Sequence, residues 1–291
     1  MRVLVTIPHV FNPQGGGGYA SLSPDPQPRI QGLSQCLQAL HEVYDSRSQF
    51  YFQYTHQLHT FSANRQSSAQ LSIVICTTQG LHLLDKLPVD PQLYRHRETL
   101  CHPMFLGFEC HQVLKEHLGL YDYYCYLEDD IILRDADFFK KLRWFNAQIG
   151  DRAVLQPNRY ERIRDRQGTK KFYIDPELEF KTGKRDNFAH YFNDNLVLTG
   201  KVMGEPVTIK RAENPHSGCF FLNRPQMEFW AQQPYFLDRD ARFFGPLESA
   251  ATLGIARTFR VYKPAPQNAN FLEVQHFGDG WSRKIKNVKF W

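Results

Sequence analysis

Three consecutive carboxylates, Glu128, Asp129 and Asp130, come directly after an aromatic and apolar stretch at residues 121–127, and are called the acidic cluster. Such a stretch is typical of a buried β-strand, and adjacent carboxylates at its end repel one another and are costly to desolvate. A bound cation would remove both costs, and oxygen ligands suit a hard divalent ion such as Mg²⁺ or Mn²⁺. We therefore predict a metal site formed by Glu128 with Asp130, or by Asp129 with one neighbour. The alternative is a charged turn that leaves the strand.

The acidic cluster must be held by a sheet, and two further apolar runs, at residues 2–8 and 71–77, are predicted strands of that sheet. Apolar residues at helical spacing predict a helix over 29–45, and a second helix is predicted over 103–118. This alternation indicates an α/β fold with a mostly parallel central sheet flanked by helices. Ligands of such sheets bind beyond the carboxyl ends of the strands, where the acidic cluster lies.

The second half of the chain adds a long region and a small-residue turn. Residues 158–205 are polar and mixed in charge, and we interpret them as an insertion that shapes the acceptor side of a substrate site. No element is assigned to residues 46–70. Ser217 and Gly218 precede a short apolar run at 219–222, and such small residues allow a backbone to approach a ligand closely.

A glycine-rich loop, with glycines at 15–18, follows the first predicted strand. Gly15, Gly17 and Ala20 formally match the dinucleotide-binding fingerprint. The three prolines at 24, 26 and 28 exclude the helix which that fingerprint requires. The loop is therefore either a surface loop or a flexible lip over a nucleotide, in which Arg29 faces a phosphate.

Composition bounds the partners and the compartment. The net charge of +5 is mild and gives weak evidence for nucleic acid, so we expect no nucleic-acid partner. No apolar run approaches the roughly 20 residues of a membrane span, so we expect no transmembrane segment. The six cysteines are scattered, and Cys76 and Cys125 lie in predicted buried strands. We interpret them as reduced thiols of a cytoplasmic protein.

Taken in this order, the motifs resemble those of the GT-A fold nucleotide-sugar glycosyltransferases over most of the chain. In that family an acidic motif at the end of a central strand holds Mn²⁺ or Mg²⁺ on the donor diphosphate. The acidic cluster sits at that place, with Glu128 first where the family commonly has Asp. A late histidine completes the metal shell in many members, and His276, in the basic and aromatic tail at 275–291, is similar in position. The resemblance implies that Glu128, Asp130 and His276 bind the metal.

The resemblance also implies residues on the donor and acceptor sides. A small-residue turn before a later strand contacts donor sugar and acceptor in the family, and His216 begins a similar turn here. An acidic residue on the next helix serves as catalytic base or holds the acceptor, and Glu248 is similar in position. The residues implied to contact the donor are Arg29, Asp129, His216, Ser217, Gly218 and Lys284.

The implied activity is metal-dependent transfer of a sugar from a nucleotide-diphosphate donor to an acceptor hydroxyl. We expect a UDP-sugar as the donor and a glycan, a lipid-linked molecule or a protein as the acceptor, and a peripheral membrane contact is compatible with this. A single GT-A-like domain would span 1–291. Residues 1–133 would form its nucleotide-binding half, and residues 134–291 its acceptor-binding half and C-terminal tail.

Two other classes of protein stay open. One is a metal-dependent nucleotidyltransferase, because three acids at a strand end suit that chemistry as well. The other is a non-catalytic carbohydrate- or nucleotide-binding protein on the same fold, which would bind without turnover.

Overall fold

In the described part of the chain β-strands outnumber α-helices, and four strands follow one another between the first and the second α-helix. The computed structural model describes residues 1–15, 20–54, 58–165, 168–175 and 197–285. In chain order the strands are β1 (Arg2–Pro8), β2 (Phe50–Tyr54), β3 (Leu58–Ser62), β4 (Gln70–Thr78), β5 (Arg95–Thr99), β6 (Tyr123–Leu127), β7 (Ile131–Ile132), β8 (Ala153–Leu155), β9 (Asn158–Asp165), β10 (Gly168–Tyr173), β11 (Val197–Val202), β12 (Glu205–Arg211), β13 (Cys219–Asn223), β14 (Arg260–Pro264) and β15 (Glu273–His276). The helices are α1 (Gln27–Tyr44), α2 (Leu106–Glu116), α3 (Phe138–Ile149), α4 (Arg224–Ala231) and α5 (Pro246–Thr258).

The central sheet contains the strand that ends at the acidic cluster and has the order β13-β6-β1-β4-β5. β1 is parallel to both neighbours, with Val5 opposite Cys125 on one side and opposite Ile73 on the other. β5 is parallel to β4, whereas β13 runs antiparallel to β6 at the edge. The predicted α/β fold with a mostly parallel central sheet, in which the first three predicted strands are neighbours, is confirmed.

Helices cover both faces of the central sheet. β1 contributes to both cores, because its successive residues point to opposite faces. Val3, Val5 and Ile7 of β1 pack in one core with residues of α1 and α3. Leu4 packs in a second core with residues of α2, α4 and α5. β1 is buried from Val3 onward and β6 throughout, which explains their continuous apolar sequences.

A second sheet, β10-β9-β15-β7, brings the C-terminal part of the chain beside the acidic cluster. β7 starts immediately after Asp130 and pairs with β15, so that Ile131 lies opposite His276. β15 also pairs with β9, the first strand of the region 158–205. The expected tail at 275–291 therefore begins inside a strand, which its short and polar sequence did not indicate.

The two regions that the sequence left uncertain contain hairpins. In the region 158–205, β9 pairs with β10 and β11 pairs with β12, while residues 176–196 lie outside the described residues. β12 continues into a third sheet with the order β11-β12-β14-β8. In the region 46–70, β2 and β3 form a two-stranded sheet of their own.

Two findings bear on the expected compartment. In the part of the chain that the structure describes, no helix combines the length and the apolar character needed to cross a bilayer. The six cysteines are unbonded, and all but Cys101 are buried. The compartment itself stays a prediction.

Candidate active site

The acidic cluster lies at the carboxyl end of β6, between strands that come from distant parts of the chain. The N–H of Glu128 donates to the carbonyl of Gly218 (2.8 Å), immediately before β13. The N–H of Ile131 donates to the carbonyl of Glu128 (3.0 Å), so the three acids form a tight turn into β7. The N–H of Phe277, just after β15, donates to the carbonyl of Asp130 (2.8 Å). As a result, the three side chains meet three different sets of neighbours.

Asp129 points into the protein and is only 3% exposed. Nε2 of His9 accepts the N–H of Leu83 (3.2 Å), so the proton of this imidazole is assigned to Nδ1, which donates to Oδ2 of Asp129 (2.6 Å). The buried guanidinium of Arg29 donates to Oδ1 of Asp129. Burial would raise the pKa of Asp129, but the charge of Arg29 and the hydrogen bond from His9 outweigh burial and lower it. Asp129 is thus a charged internal partner that ties α1 and the end of β1 to β6.

Asp130 faces the C-terminal part of the chain. Its Oδ2 lies 3.8 Å from Nε2 of His276 and accepts a long hydrogen bond from Arg29 (3.4 Å). Its Oδ1 is buried and has no hydrogen-bond partner among the described residues. Asp130 therefore keeps one oxygen available for a ligand beside an imidazole nitrogen.

The imidazole of His276 lies between Asp130 and Glu161 of β9. Nδ1 of His276 lies 3.2 Å from Oε1 of Glu161, and the same carboxylate accepts the N–H groups of Trp281 (3.0 Å) and Ser282 (2.7 Å). Burial would lower the pKa of His276, but the carboxylates of Asp130 and Glu161 outweigh burial and raise it. Burial would raise the pKa of Glu161, but the bonds that it accepts lower it to about 2. Nδ1 of His276 makes no hydrogen bond in the described structure, so Glu161 acts on the imidazole through its charge, while Nε2 faces Asp130.

The carboxyl group of Glu128 packs against Gly218, and one of its oxygens, the buried Oε1, has no hydrogen-bond partner among the described residues. Burial and the neighbouring charge of Asp130 raise the pKa of Glu128 to about 8, against the opposing charge of Arg159. Gly218 has φ +63°, and a Cβ at this position would lie 3.0 Å from Oε2 of Glu128. Glycine at 218 therefore lets the carboxyl group sit against the backbone.

The two residues before Gly218 turn their side chains into the protein. Nδ1 of His216 bonds to Oγ1 of Thr252 (2.9 Å), and Oγ of Ser217 donates to the carbonyl of Pro157 (2.8 Å). Burial lowers the pKa of His216 well below its usual value, so the ring is neutral. A donor contact at this turn would therefore use the backbone rather than these two side chains.

A buried group of Arg159, Asp175 and Lys263, called the paired network, lies behind this turn. Nε of Arg159 donates to Oδ1 of Asp175 (2.8 Å), and Nζ of Lys263 donates to Oδ2 (2.8 Å) and to the carbonyl of His216 (2.6 Å). Burial would raise the pKa of Asp175, but the two cations outweigh burial and lower it. A cavity of about 170 Å³ borders this network, and its lining includes Asn158, Tyr173, Asp175, Asn214 and Lys263.

Glu248 and Lys284 lie farther from the acidic cluster. Glu248 is half-buried in the first turn of α5, and its charge contributes to the raised pKa of Glu128. Within the described residues Glu248 forms no hydrogen bond or ion pair. Lys284 is exposed, and its Nζ lies 4.1 Å from the ring centre of Trp281; within the described residues it has no carboxylate partner.

The donor atoms around Asp130 fit a divalent cation in kind, although they are not gathered around one point. Among the described residues, no three His, Cys, Asp or Glu side chains are spaced to hold a metal ion. Oε1 of Glu128 and Oδ1 of Asp130 nevertheless lack partners, and Nε2 of His276 faces Asp130. Carboxylate oxygen with imidazole nitrogen suits Mn²⁺. The structure brings Asp130 and His276 together and turns Glu128 toward Gly218, so the three-residue metal site stays a prediction.

Four residues that the sequence analysis did not single out complete the site: His9, Arg159, Glu161 and Lys263. The position of His9 could have been predicted from the sequence, because it follows β1 directly. The carboxyl ends of the neighbouring parallel strands β1 and β6 meet at one edge of the sheet. The other three residues lie on β9, which pairs with β15, and on β14, which pairs with β8. Both pairings join parts of the chain that are distant in sequence. No local pattern indicated them.

Comparisons with known proteins show a likeness in fold at low identity. No protein-family model matches the chain, and no curated protein matches its sequence. A CMP:2-keto-3-deoxy-manno-octonic acid synthetase complexed with CTP is similar over 91% of this chain and 92% of that chain, with 11% identity and a TM-score of 0.35. Mouse xyloside xylosyltransferase 1 in its apo form is similar over 89% of this chain and 84% of that chain, with 11% identity and a TM-score of 0.36. Likenesses at these scores do not bear on activity, which rests on the geometry of the site.

Proposed function

We propose that this protein is a metal-dependent glycosyltransferase that moves a sugar from a nucleotide-diphosphate donor to an acceptor hydroxyl. The observation that carries the proposal is the pair of Asp130 and His276, which β7 and β15 bring to the carboxyl edge of a parallel sheet. Oδ1 of Asp130 and Oε1 of Glu128 lack partners at the same edge. Buried polar groups are normally satisfied, so two unsatisfied carboxylate oxygens beside an imidazole support a cation-binding site here.

The residues that would hold Mn²⁺ or Mg²⁺ are Asp130, His276 and Glu128. Such an ion, when bound, neutralises the negative charge that develops on a diphosphate leaving group. Arg29 supplies a second positive charge at this edge. It keeps its contact with Asp129 while its longer bond to Asp130 is exchanged for a donor phosphate. Lys284 is the further candidate for a phosphate contact.

In the transfer, the acceptor hydroxyl oxygen bonds to the anomeric carbon of the sugar, and the bond from that carbon to the diphosphate oxygen breaks. Glu248, half-buried and without a partner in the described part of the chain, takes the hydroxyl proton if the reaction inverts the anomeric centre. If the reaction retains it, Glu248 binds the acceptor instead, and the proton leaves with the diphosphate. Analysis of the product anomer separates these two roles.

In this proposal one half of the chain binds the donor and the other half binds the acceptor. Residues 1–133 supply the acidic cluster and Arg29 for a nucleotide-sugar, with a UDP-sugar as the donor we favour. Residues 134–291 supply Glu248, His276 and the cavity beside the paired network, through which a glycan, lipid-linked or protein acceptor would approach.

A nucleotidyltransferase is the second candidate. Two neighbouring carboxylates, Glu128 and Asp130, each keep an oxygen without a partner in the described structure. Enzymes that act on nucleoside triphosphates commonly place two metal ions between such carboxylates. In that reaction a sugar oxygen would attack the α-phosphate, and pyrophosphate would leave.

A donor screen by mass spectrometry tests both candidates. The full chain is incubated with a panel of nucleotide-sugars, with and without Mn²⁺, and released nucleoside diphosphate is measured. A second arm contains nucleoside triphosphates with free sugars and sugar phosphates, and formation of a nucleotide-sugar is measured. We expect Mn²⁺-dependent release of diphosphate from one donor in the first arm. Asp130→Asn should abolish this release, whereas Asp137→Asn, at an exposed acid paired with Lys140, should retain it.

Each other outcome rejects the glycosyltransferase. Turnover in the second arm alone assigns the nucleotidyltransferase. Binding of a nucleotide-sugar by calorimetry without turnover in either arm assigns a binding protein. Release that does not depend on Mn²⁺ or on Asp130 places the chemistry elsewhere in the molecule.

A further inference from the structure

The hairpin formed by β2 and β3, called the aromatic hairpin, exposes a concentration of aromatic and apolar side chains. In the described structure its strands pair only with each other, with Tyr51 opposite Phe61 and Tyr54 opposite Leu58. The exposed fraction of these side chains runs from 49% at Phe61 to 74% at Tyr54. The large exposed side chains are Phe50, Tyr51, Phe52, Tyr54, Leu58 and Phe61. An isolated two-stranded hairpin is marginal in water, and an apolar patch of this kind marks a binding surface.

Both faces of the aromatic hairpin are apolar and exposed. Residues two apart in a strand share a face, so Phe50, Phe52 and Tyr54 lie on one face with Leu58. Tyr51 and Phe61 lie on the other, with their ring centres 5.3 Å apart. A flat protein surface would cover one face and leave the other in water. A medium that surrounds the hairpin covers both.

The charges around the hairpin favour an anionic surface. From residue 46 to residue 84 the chain contains no Asp or Glu, while Arg47 and Arg65 flank the two strands. Arg47 is paired with Asp45, but the exposed Arg65 has no ion pair within the described residues. The whole chain carries a net charge of +5. Basic residues next to apolar side chains bind membranes that contain anionic lipids.

We propose that the aromatic hairpin binds the surface of a membrane that contains anionic lipids. Among the described residues the outer edges of β2 and β3 carry unpaired backbone groups, which are costly in hydrocarbon, so the hairpin lies at the boundary between headgroups and acyl chains. Tyrosine rings with their hydroxyl groups are enriched at this depth. This surface differs from a membrane span and requires no helix of spanning length.

The hairpin lies at the opposite end of the central sheet from the candidate active site. It joins the end of α1 to the start of β4, whereas Arg29 in the first turn of α1 contacts the acidic cluster. From Arg29 to the end of α1 at Tyr44 the helix rises by about 23 Å. Membrane binding therefore leaves the site exposed to solvent, and the inference stands independently of the proposed function.

Vesicle flotation of the full chain tests this inference. Vesicles of phosphatidylcholine alone are compared with vesicles that contain about 30% phosphatidylserine, which raises the surface potential. We expect the wild-type chain to float with the anionic vesicles and less with the neutral ones. The triple change Phe50→Thr, Phe52→Thr and Leu58→Thr keeps β-propensity and should lower partitioning by about thirtyfold or more, because three apolar side chains lose their burial. Arg65→Gln should lower partitioning by about fivefold on anionic vesicles only.

A matched control removes equally exposed apolar side chains elsewhere. Leu100 and Val197 are 88% and 61% exposed, and Leu100→Thr with Val197→Thr should float as the wild type does. Unchanged thermal melting of the triple variant shows that the rest of the chain folds, and slowed amide exchange over 50–62 on vesicles locates the contact. Wild-type chain that stays unbound on both vesicle types overturns the inference. So does wild-type flotation by the triple variant. A concentration-dependent dimer that the triple change abolishes assigns the hairpin to a second copy of the chain instead.

Discussion

Two groups of buried charges lie close together in this protein, and only one of them is complete. In the paired network, both oxygens of Asp175 accept hydrogen bonds from cations, Arg159 on one side and Lys263 on the other. In the acidic cluster, Asp129 is equally well satisfied, but Glu128 and Asp130 each keep a buried oxygen without a partner in the described structure. The two groups interact, because the charge of Arg159 opposes the rise in the pKa of Glu128.

We interpret this difference as one between charges that stabilise the fold and charges that would bind a ligand. A buried ion pair costs desolvation, and it is tolerated when the partners are fully bonded. A group that is left incomplete at the carboxyl edge of a parallel sheet destabilises the chain without a ligand, and a bound cation removes that cost. By this criterion we interpret the paired network and Asp129 as structural, and Asp130, His276 and Glu128 as the residues of the proposed site.

The largest expected effect comes from breaking the paired network. Asp175→Asn leaves Arg159 and Lys263 buried without a counter-charge, so the free energy of unfolding should fall by about 3–5 kcal/mol at pH 7. Urea denaturation followed by fluorescence measures the loss. Asp137→Asn is the matched control at an exposed pair, and it should change stability by less than about 0.5 kcal/mol. Equal effects of the two changes would contradict a structural role for the network.

The same variant predicts a pH dependence with a defined sign. The two cations lower the pKa of Asp175 in the folded chain, so its contribution is fully present above the unfolded value of about 3.9. The contribution is lost as the pH falls further toward the folded value. The stability gap between wild type and Asp175→Asn should therefore be constant from pH 5 to pH 7 and narrow below about pH 4. A gap that widens on acidification would show that Asp175 is not the charged partner.

Substitution of Asp129 should mainly lower stability, whereas substitution of the neighbouring Asp130 should mainly lower turnover. Asp129→Asn leaves the buried Arg29 with its longer bond to Asp130 as its one side-chain partner among the described residues, and should cost about 3 kcal/mol of unfolding free energy. Asp130→Asn relieves the repulsion with Glu128 but weakens the contacts with Arg29 and His276, and these opposing effects should change stability by less than about 1 kcal/mol. It should nevertheless lower Mn²⁺-dependent donor turnover by about 10²-fold or more. A large stability loss with Asp130→Asn would move Asp130 to the structural group.

Much of the fold was predictable because its central strands are buried on both faces. β1, β4 and β6 appear in the sequence as continuous apolar runs, and one such run leads directly into the acidic cluster. The position of these acids at the carboxyl edge followed from the α/β pattern alone. The position of His9 could have been inferred by the same reasoning, since it directly follows β1.

The division of labour within the acidic cluster was not predictable. Three adjacent acids are equivalent in the sequence, and the direction of each side chain depends on the pairing of β7 with β15. β15 has only four residues, and its partners lie far away in the chain, so no local period indicates it. The aromatic hairpin escaped detection for another reason. With both faces exposed, its apolar residues do not alternate with polar ones.

The smallest effect concerns Gly218, where backbone and acidic cluster touch. Gly218→Ala imposes a side chain on φ +63°, and its Cβ would lie 3.0 Å from Oε2 of Glu128 and 3.1 Å from Cδ1 of Ile131. We expect a loss of about 1–2 kcal/mol in unfolding free energy, from the left-handed conformation together with this contact. Gly204→Ala is the matched control, because Gly204 has φ +89° with open space around its Cβ position and tests conformation alone.

Comparison of Gly218→Ala with Gly204→Ala distinguishes the cost of backbone strain from the effect of displacing Glu128. Both should lose stability in urea denaturation, and Gly218→Ala should lose more, because Glu128 or Ile131 must move to admit the methyl group. Only Gly218→Ala should also weaken Mn²⁺ binding measured by calorimetry, since Gly204 lies in the turn between β11 and β12, away from the acidic cluster. If both variants bind Mn²⁺ as the wild type does, Glu128 does not contribute to the metal site. The ion, if it binds, then depends on Asp130 and His276 alone.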